Sequence, residues 1–304
     1  MARISDDFVL KRGYVRPTGW VGFVTSNPDA DIDEVPNGQL FFLKEGEGEW
    51  GGRVFEWTAV DLAYVSKPEG TVVVLGRDGT ALIVGQSGDS EEDVEDAGVG
   101  PARRGPMRRL RNVGEEIFAV GMGRQVYRRT GLNTWKRMEN GLPDKRPPRQ
   151  VIGFNSIDGF DPADLYAVGW GGEIWHFDQT SWYRLDSPTN VAIFDITCTV
   201  TGVSYACGQA GTILRGMGRN WEYVEYEGPE RDLRSVAWFM DKLYLADGTA
   251  LFLLEGDGLT QVDFGVGEVV PSQQVHATEH VMLSLSGKEA FTTRDGVTWT
   301  PVPV

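Results

Sequence analysis

Residues 166–182 read YAVGWGGEIWHFDQTSW, and every segment after about residue 110 can be laid on them. A shift of 39 residues turns Tyr166 into Tyr205 and then Tyr244, Ile174 into Ile213, Phe252 and Phe291, and Trp182 into Trp221, Thr260 and Trp299. An upstream copy, 47 to 48 residues away, places Phe118, Val126 and Trp135 on the same positions. Such a period marks a repeat architecture, in which one unit cannot bury its own apolar face and must stack on its neighbours. Within a unit, LYAVG is a short apolar run, WGG a glycine turn, EIWHF an alternating run, DQTS a second turn and WYRL the start of another strand. Two tight hairpins, with GFNSI (153–157) as a further strand upstream, make four antiparallel strands in about 40 residues, the content of one propeller blade. Each Trp is expected to open the outer strand and to pack on the turn and the next blade.

The AVG or ACG strand end, the G-x-[IV] third strand and the terminal Trp resemble bacterial propellers of the BNR and Asp-box type, and most of all YCF48-like repeats, over roughly residues 107–304. TRDGVTW (293–299) is similar to an Asp-box, one residue short of its usual spacing. The resemblance implies a box that holds the hairpin between third and fourth strands and carries no catalysis.

The fold expected is therefore all-β: a single propeller domain over residues 1–304, seven-bladed, with blades near 8–60, 61–105, 107–150, 151–189, 190–231, 232–270 and 271–304. Six blades result if residues 8–60 are only a closing strand with decoration. Ring closure must cover the edges of the terminal blades, and FVLKRGYV or TWTPVPV is expected to provide it.

Lys and Arg number 29 against 44 Asp and Glu, a net charge of −15. That sign repels nucleic acid and anionic membrane, and steers a basic protein. MARISDDFVLKRGYV shows no apolar run behind a basic start and no stretch of 18 apolar residues exists, so cytoplasmic residence is the expectation. Acid concentrates at 29–34, 89–96 and 222–232. Asp29, Asp31 and Asp33 have the spacing of a calcium loop, but Glu34 and Leu40 stand where such a loop needs glycine and a bidentate acid. Asp89, Glu91, Glu92, Asp93, Glu95 and Asp96 crowd into a stretch expected to be a mobile, partner-facing loop. The arginines after it, Arg103, Arg104, Arg108, Arg109 and Arg111, are expected to neutralise acids of the protein itself. KRPPR (145–149) reads as a basic, proline-stiffened connection between blades.

Catalytic signatures fail one by one. His276, Glu279 and His280 spell H-x-x-E-H, yet that zinc motif needs a helix and the repeat places it on the turn between the first and second strands of a blade, as solvent-facing turn histidines. Cys198 and Cys207 are expected on one strand face but diagonal, too far apart for an unstrained disulfide. There is no Arg-Ile-Pro segment of a sialidase, and SGKE (286–289) lacks the upstream glycine of a phosphate loop. No catalytic residue, metal ligand or cofactor is assigned.

A binding module remains. Met122, Trp170 and Gln209 fall at equivalent turns of three consecutive blades, and Trp170, between two glycines, is the candidate anchor for a protein partner. Arg124, His176 and Arg215 are expected nearby. The functional expectation is a non-enzymatic protein-binding propeller, monomeric or in a heterocomplex, in its concrete form an inhibitor of the immunity or antitoxin kind that caps a basic toxin such as a nuclease. The alternatives are an assembly factor, as the YCF48-like resemblance implies, and a carbohydrate-binding or glycoside-processing propeller.

Overall fold

Strands come in sevens of four because each apolar run ends at a turn that can only reverse it. In the computed structural model, which describes residues 4–27, 38–43, 50–66, 70–143, 151–228 and 230–304, blade 1 comprises Val9–Val15 (β1), Val21–Ser26 (β2), Gly38–Leu43 (β3) and Trp50–Phe55 (β4). Blade 2 follows with Ala59–Val65 (β5), Thr71–Gly76 (β6), Thr80–Gly85 (β7) and Gly88–Asp93 (β8). Blade 3 holds Met107–Val113 (β9), Glu116–Gly121 (β10), Gln125–Gly131 (β11) and Thr134–Arg137 (β12), and blade 4 Phe154–Asp161 (β13), Asp164–Gly169 (β14), Ile174–Phe177 (β15) and Trp182–Arg184 (β16). Blade 5 holds Ile193–Cys198 (β17), Ser204–Gly208 (β18), Ile213–Met217 (β19) and Asn220–Tyr223 (β20). Blade 6 holds Ser235–Phe239 (β21), Lys242–Ala246 (β22), Leu251–Glu255 (β23) and Gly258–Gln261 (β24), and blade 7 Gln274–Ala277 (β25), Met282–Leu285 (β26), Ala290–Thr293 (β27) and Trp299–Pro301 (β28). Each blade is one antiparallel sheet of consecutive strands. The seven-bladed β-propeller anticipated from the repeat is the fold. The calcium-spaced Asp29, Asp31 and Asp33 and the KRPPR segment lie outside the described residues.

Side-chain parity builds the ring. Leu165, Ala167, Trp175, Phe177 and Trp182 project from one face of blade 4 into blade 3, while Tyr166, Val168 and Ile174 project from the other into blade 5. Among the described residues, one apolar cluster of this kind fills each of the seven interfaces. Burying these stripes removes apolar surface from water at roughly 25 cal/mol per Å². The tryptophans pack on the preceding blade, not the next: Trp182 stands opposite Phe177 and so shares its face. Its Nε1 donates to Met138 O at 2.8 Å, and Trp135 Nε1 donates to Glu92 of blade 2 at 3.1 Å. The second-strand tyrosines reach the other way, Tyr166 OH to Gly218 O at 3.2 Å and Tyr244 OH to Gly296 O at 3.5 Å.

Closure uses FVLKRGYV without strand exchange. β1 pairs with β2 alone and lies against blade 7. Leu10 N donates to Gly287 O at 2.9 Å, and Gln274 bonds both polar groups of Gly13, accepting from its N at 2.8 Å and donating to its O at 3.0 Å. Ser5 Oγ reaches Val304 O at 3.0 Å. Every blade already owns four strands, so the ends meet by packing and side-chain bonds rather than by completing one sheet.

Register corrects the cysteines. The β17–β18 turn spans Val200–Gly202, so Cys198 faces Ser204 and Cys207 faces Asp195. One residue of slip moves a side chain to the other face: Cys198 packs toward blade 4 and Cys207 toward blade 6, both as free thiols.

Candidate functional site: the turn face and the channel

The innermost strands carry polar residues on the repeat itself, at 61, 109, 156, 195, 235 and 274, spaced by 48, 47, 39, 40 and 39. They meet at mid-channel. Arg109 donates to Asp195 and to Ser156 Oγ (3.3 Å), with Asp61 3.8 Å from its Nε. Asp195, 1% exposed, also accepts from Ser156 Oγ at 2.7 Å, Ser235 Oγ at 2.8 Å and the N–H groups of Ile196 and Val236. Burial works against both charges. The nearby Arg109 and Arg111 nevertheless hold the Asp195 carboxyl far below the usual carboxylate range, and Asp195 with Asp61 raises Arg109. This belt satisfies its own lone pairs and divides the channel into two mouths.

The lower mouth opens among the turns between first and second strands. There Arg111 donates to Ile196 O at 2.9 Å and approaches Asp158 at 3.5 Å. His276 is no solvent-facing turn residue: its ring lies 4.2 Å from that of Tyr14, and its Nδ1 accepts from Val15 N at 3.3 Å. Burial, then Arg111 and Arg109, push His276 down to about 3, while burial raises Tyr14 to about 12. His280 is exposed on the β25–β26 turn. Among the described residues no three His, Cys, Asp or Glu side chains gather as metal ligands.

The upper mouth opens among the turns between second and third strands, where Met122, Trp170 and Gln209 stand. Gly171 and Gly172 at φ of 66° and 71° let the chain after β14 make a single tight turn that lifts Trp170 to the rim of the upper cavity. Trp170 is half-buried, and its indole Nε1 is covered without an acceptor. Met122 is brought to it through the blade connection: Trp170 N donates to Gly153 O at 3.2 Å, and Gly153 bridges Met122. A Cβ on Gly153 would meet Met122 Cα at 2.5 Å, so no larger residue fits between the turns. Beneath them Arg124, in the left-handed region at φ 56°, pairs with Glu173. Arg124 is therefore buried structure, not surface. Gln209 occupies the matching turn of blade 5, but its side-chain oxygen is spent on Ala192 N at 3.0 Å. His176 lies away from the mouth on β15, bonded to Tyr183 OH and to Asp164 at 2.6 Å, and Arg215 on β19 makes an exposed pair with Glu222 on β20.

The acidic run stands elsewhere. It is not a loop: residues 88–93 form β8, the outer strand of blade 2, and present Asp89, Glu91 and Asp93 on the ring's rim. Asp89 pairs with Arg53, Glu91 accepts from Trp57 Nε1 at 2.9 Å, and Asp96 takes Arg137 N at 3.1 Å and Lys136 at 3.5 Å. Glu95 is exposed in the following turn. Glu92, in contrast, is 3% exposed and withdrawn from any partner. It accepts two bonds from Arg129, at 2.9 and 2.7 Å, one from Asn133 N at 2.9 Å and one from Trp135. The alternation of the strand turns it inward, where burial would raise its pKa but these donors hold it below the ordinary range. The arginines neutralise neighbours rather than the run: Arg104 pairs with Glu139, Arg109 with Asp195 and Arg111 with Asp158, whereas Arg103 and Arg108 are exposed.

The immune protein Tsi7 of Pseudomonas aeruginosa aligns with 246 residues of this chain at 37% identity, covering 81% of the chain and 80% of Tsi7. The chain belongs to the Tsi7 family. No family model matches it. Solved structures similar to this Tsi7-family propeller include virginiamycin B lyase from Staphylococcus aureus, with a TM-score of 0.69 at 11% identity over 96% of each chain. The WD40 propeller domain of Doa1 gives 0.67 at 10% identity over 100% of this chain and 95% of that domain. At such identities these likenesses establish the fold of the Tsi7-family chain and nothing about its chemistry.

Proposed function

We propose that this protein is an immunity protein, which neutralises a toxin protein by binding it and performs no reaction itself. The observation that carries this reading is the family relation to the immune protein Tsi7 along four fifths of the chain. The site supports it: the mid-channel charges are spent on one another, while the turn face offers Trp170 on a rigid base. An amphipathic ring of this kind on a preorganised turn is the type of residue on which protein interfaces concentrate their energy. The net charge of −15, set partly by Asp89, Glu91, Asp93 and Glu95 on the rim, favours a toxin that is basic overall, met in the cytoplasm. The hairpin Thr293–Trp299, where Asp295 accepts from Val297 N (2.8 Å) and Thr298 N (2.7 Å), supports kinship with Asp-box propellers, in which this element is structural.

The test is co-expression with each toxin candidate encoded beside the gene. Growth is restored against one of them, and a complex with it co-purifies. Failure to protect against any of them removes the reading.

A further inference from the structure

The upper mouth has a charge opposite to that of the molecule. Its cavity, of about 840 Å³, is lined by Lys11, Arg12, Arg108 and Arg234 against a single acid, Asp247. That acid is already engaged: it accepts from Thr249 N at 2.7 Å and Ala250 N at 2.9 Å, takes the Thr249 hydroxyl, and lies 3.4 Å from Arg231. The four cations, however, form no ion pair among the described residues. Arg12 lies near the belt, where Asp61 and Asp195 act in its favour and Arg109 and Arg111 against it, but Arg109 holds the hydrogen bonds of Asp195 and Arg12 makes none with either acid. Burial and Arg109 lower Arg12 to about 10, and burial, with Arg77 as a like charge, also lowers Arg108. Trp170, with an indole donor lacking an acceptor, stands on the same lining.

Gathering four cations without an ion pair in one concavity costs self-repulsion, which an anion entering the cavity would relieve. A net charge of −15 acts at long range, but beyond about 8 Å it is screened at physiological salt, so the mouth itself selects what docks. We propose that the upper mouth is an anion site that receives the carboxylates of an acidic segment of the toxin, placing that segment against Trp170. This deepens the immunity reading and rests on it for the identity of the ligand. Guanidinium groups suit the ligand because they bind carboxylates at two points.

Two measurements separate the failure of this site from the failure of the immunity reading. First, the full chain is titrated calorimetrically with an acetylated hexaglutamate peptide, with inorganic phosphate and with a duplex oligonucleotide. The peptide binds, the charge-reversing double variant Arg108→Glu/Arg234→Glu abolishes the binding at unchanged Tm, and raising salt from about 20 to about 300 mM weakens it about 10-fold. No peptide binding at low salt overturns the site, as does tighter binding of phosphate or of the oligonucleotide. Secondly, with the toxin that the wild-type chain neutralises, the same double variant weakens the complex about 30-fold, whereas Arg108→Lys, which keeps the charge but loses the two-point fit, weakens it only about 3-fold. An unchanged toxin affinity overturns the site and leaves the immunity reading standing. Peptide binding without any toxin that binds keeps the site and removes the immunity reading.

Discussion

Arg124 of blade 3 and Glu173 of blade 4 form a two-point ion pair beneath the turns that carry Met122 and Trp170. Arg124 Nε donates to Glu173 Oε2 at 2.7 Å, its second nitrogen donates to Oε1, and Trp175 Nε1 adds a bond to Oε2 at 3.2 Å. With Arg124 7% and Glu173 5% exposed, neither charge has water as an alternative partner. The pair joins blades 3 and 4 at the base of these turns.

Removing one member leaves the other buried and uncompensated. Arg124→Leu or Glu173→Leu alone is expected to cost about 3–5 kcal/mol. The double replacement Arg124→Leu/Glu173→Leu costs less than the sum of the single changes, because no charge is then stranded. Denaturant unfolding of the four proteins gives the coupling directly.

The acidic run separates by strand parity. Glu92→Ala strands Arg129 and removes the acceptor of Trp135 and Asn133, so a loss of about 3–5 kcal/mol is expected. Asp93→Ala, one residue on but exposed, changes stability by no more than about 0.5 kcal/mol. Thermal unfolding distinguishes the two variants, and equal losses would contradict the inward orientation of Glu92.

His276 gives stability a pH dependence whose sign follows from its lowered pKa. Held at about 3 in the fold against an ordinary 6.5, it remains neutral where the unfolded chain binds a proton. Stability is therefore fully retained above about pH 6.5 and falls as the pH drops toward 3, by at most about 1.4 kcal/mol per pH unit. His276→Gln, which keeps an acceptor for Val15 N, flattens that slope. The check is the difference between wild type and variant in urea unfolding at about pH 7 and pH 4.5.

Gly169 tests how closely the blade connection approaches the turns. A Cβ there would meet Gly153 O at 1.9 Å, so Gly169→Ala must push the β13 entry away from the Trp170 turn. A loss of about 3 kcal/mol or more is expected, with a changed tryptophan emission. At Gly218, φ is 59° but nothing lies within 4 Å, so Gly218→Ala costs only about 1 kcal/mol.

The blade number and strand order were legible because Tyr166, Ile174 and Trp182 recur at the period of the wedge, and apolar residues recur only where wedges touch. The direction in which Trp182 packs was not, since a period fixes spacing while the face depends on pairing with Phe177. For Cys198, one extra turn residue reversed the face. Glu92 was hidden by its neighbours: in a crowd of acids, charge density suggests a loop, whereas strand alternation singles out one member for burial. The polar belt carried a readable signal, in that Asp61, Arg109, Ser156, Asp195, Ser235 and Gln274 recur at the repeat spacing. The cationic mouth carried none, because Lys11, Arg12, Arg108 and Arg234 come from blades far apart in the chain and meet only when the ring closes.

The proposed toxin-binding surface is the turn face around Trp170. Its most direct test is the Kd of the complex with the neutralised toxin, measured by calorimetry for the wild-type chain and for Trp170→Ala at matched Tm. A loss of at least about 2 kcal/mol, or roughly 30-fold in Kd, is the predicted result. An affinity unchanged by removing the indole would contradict it.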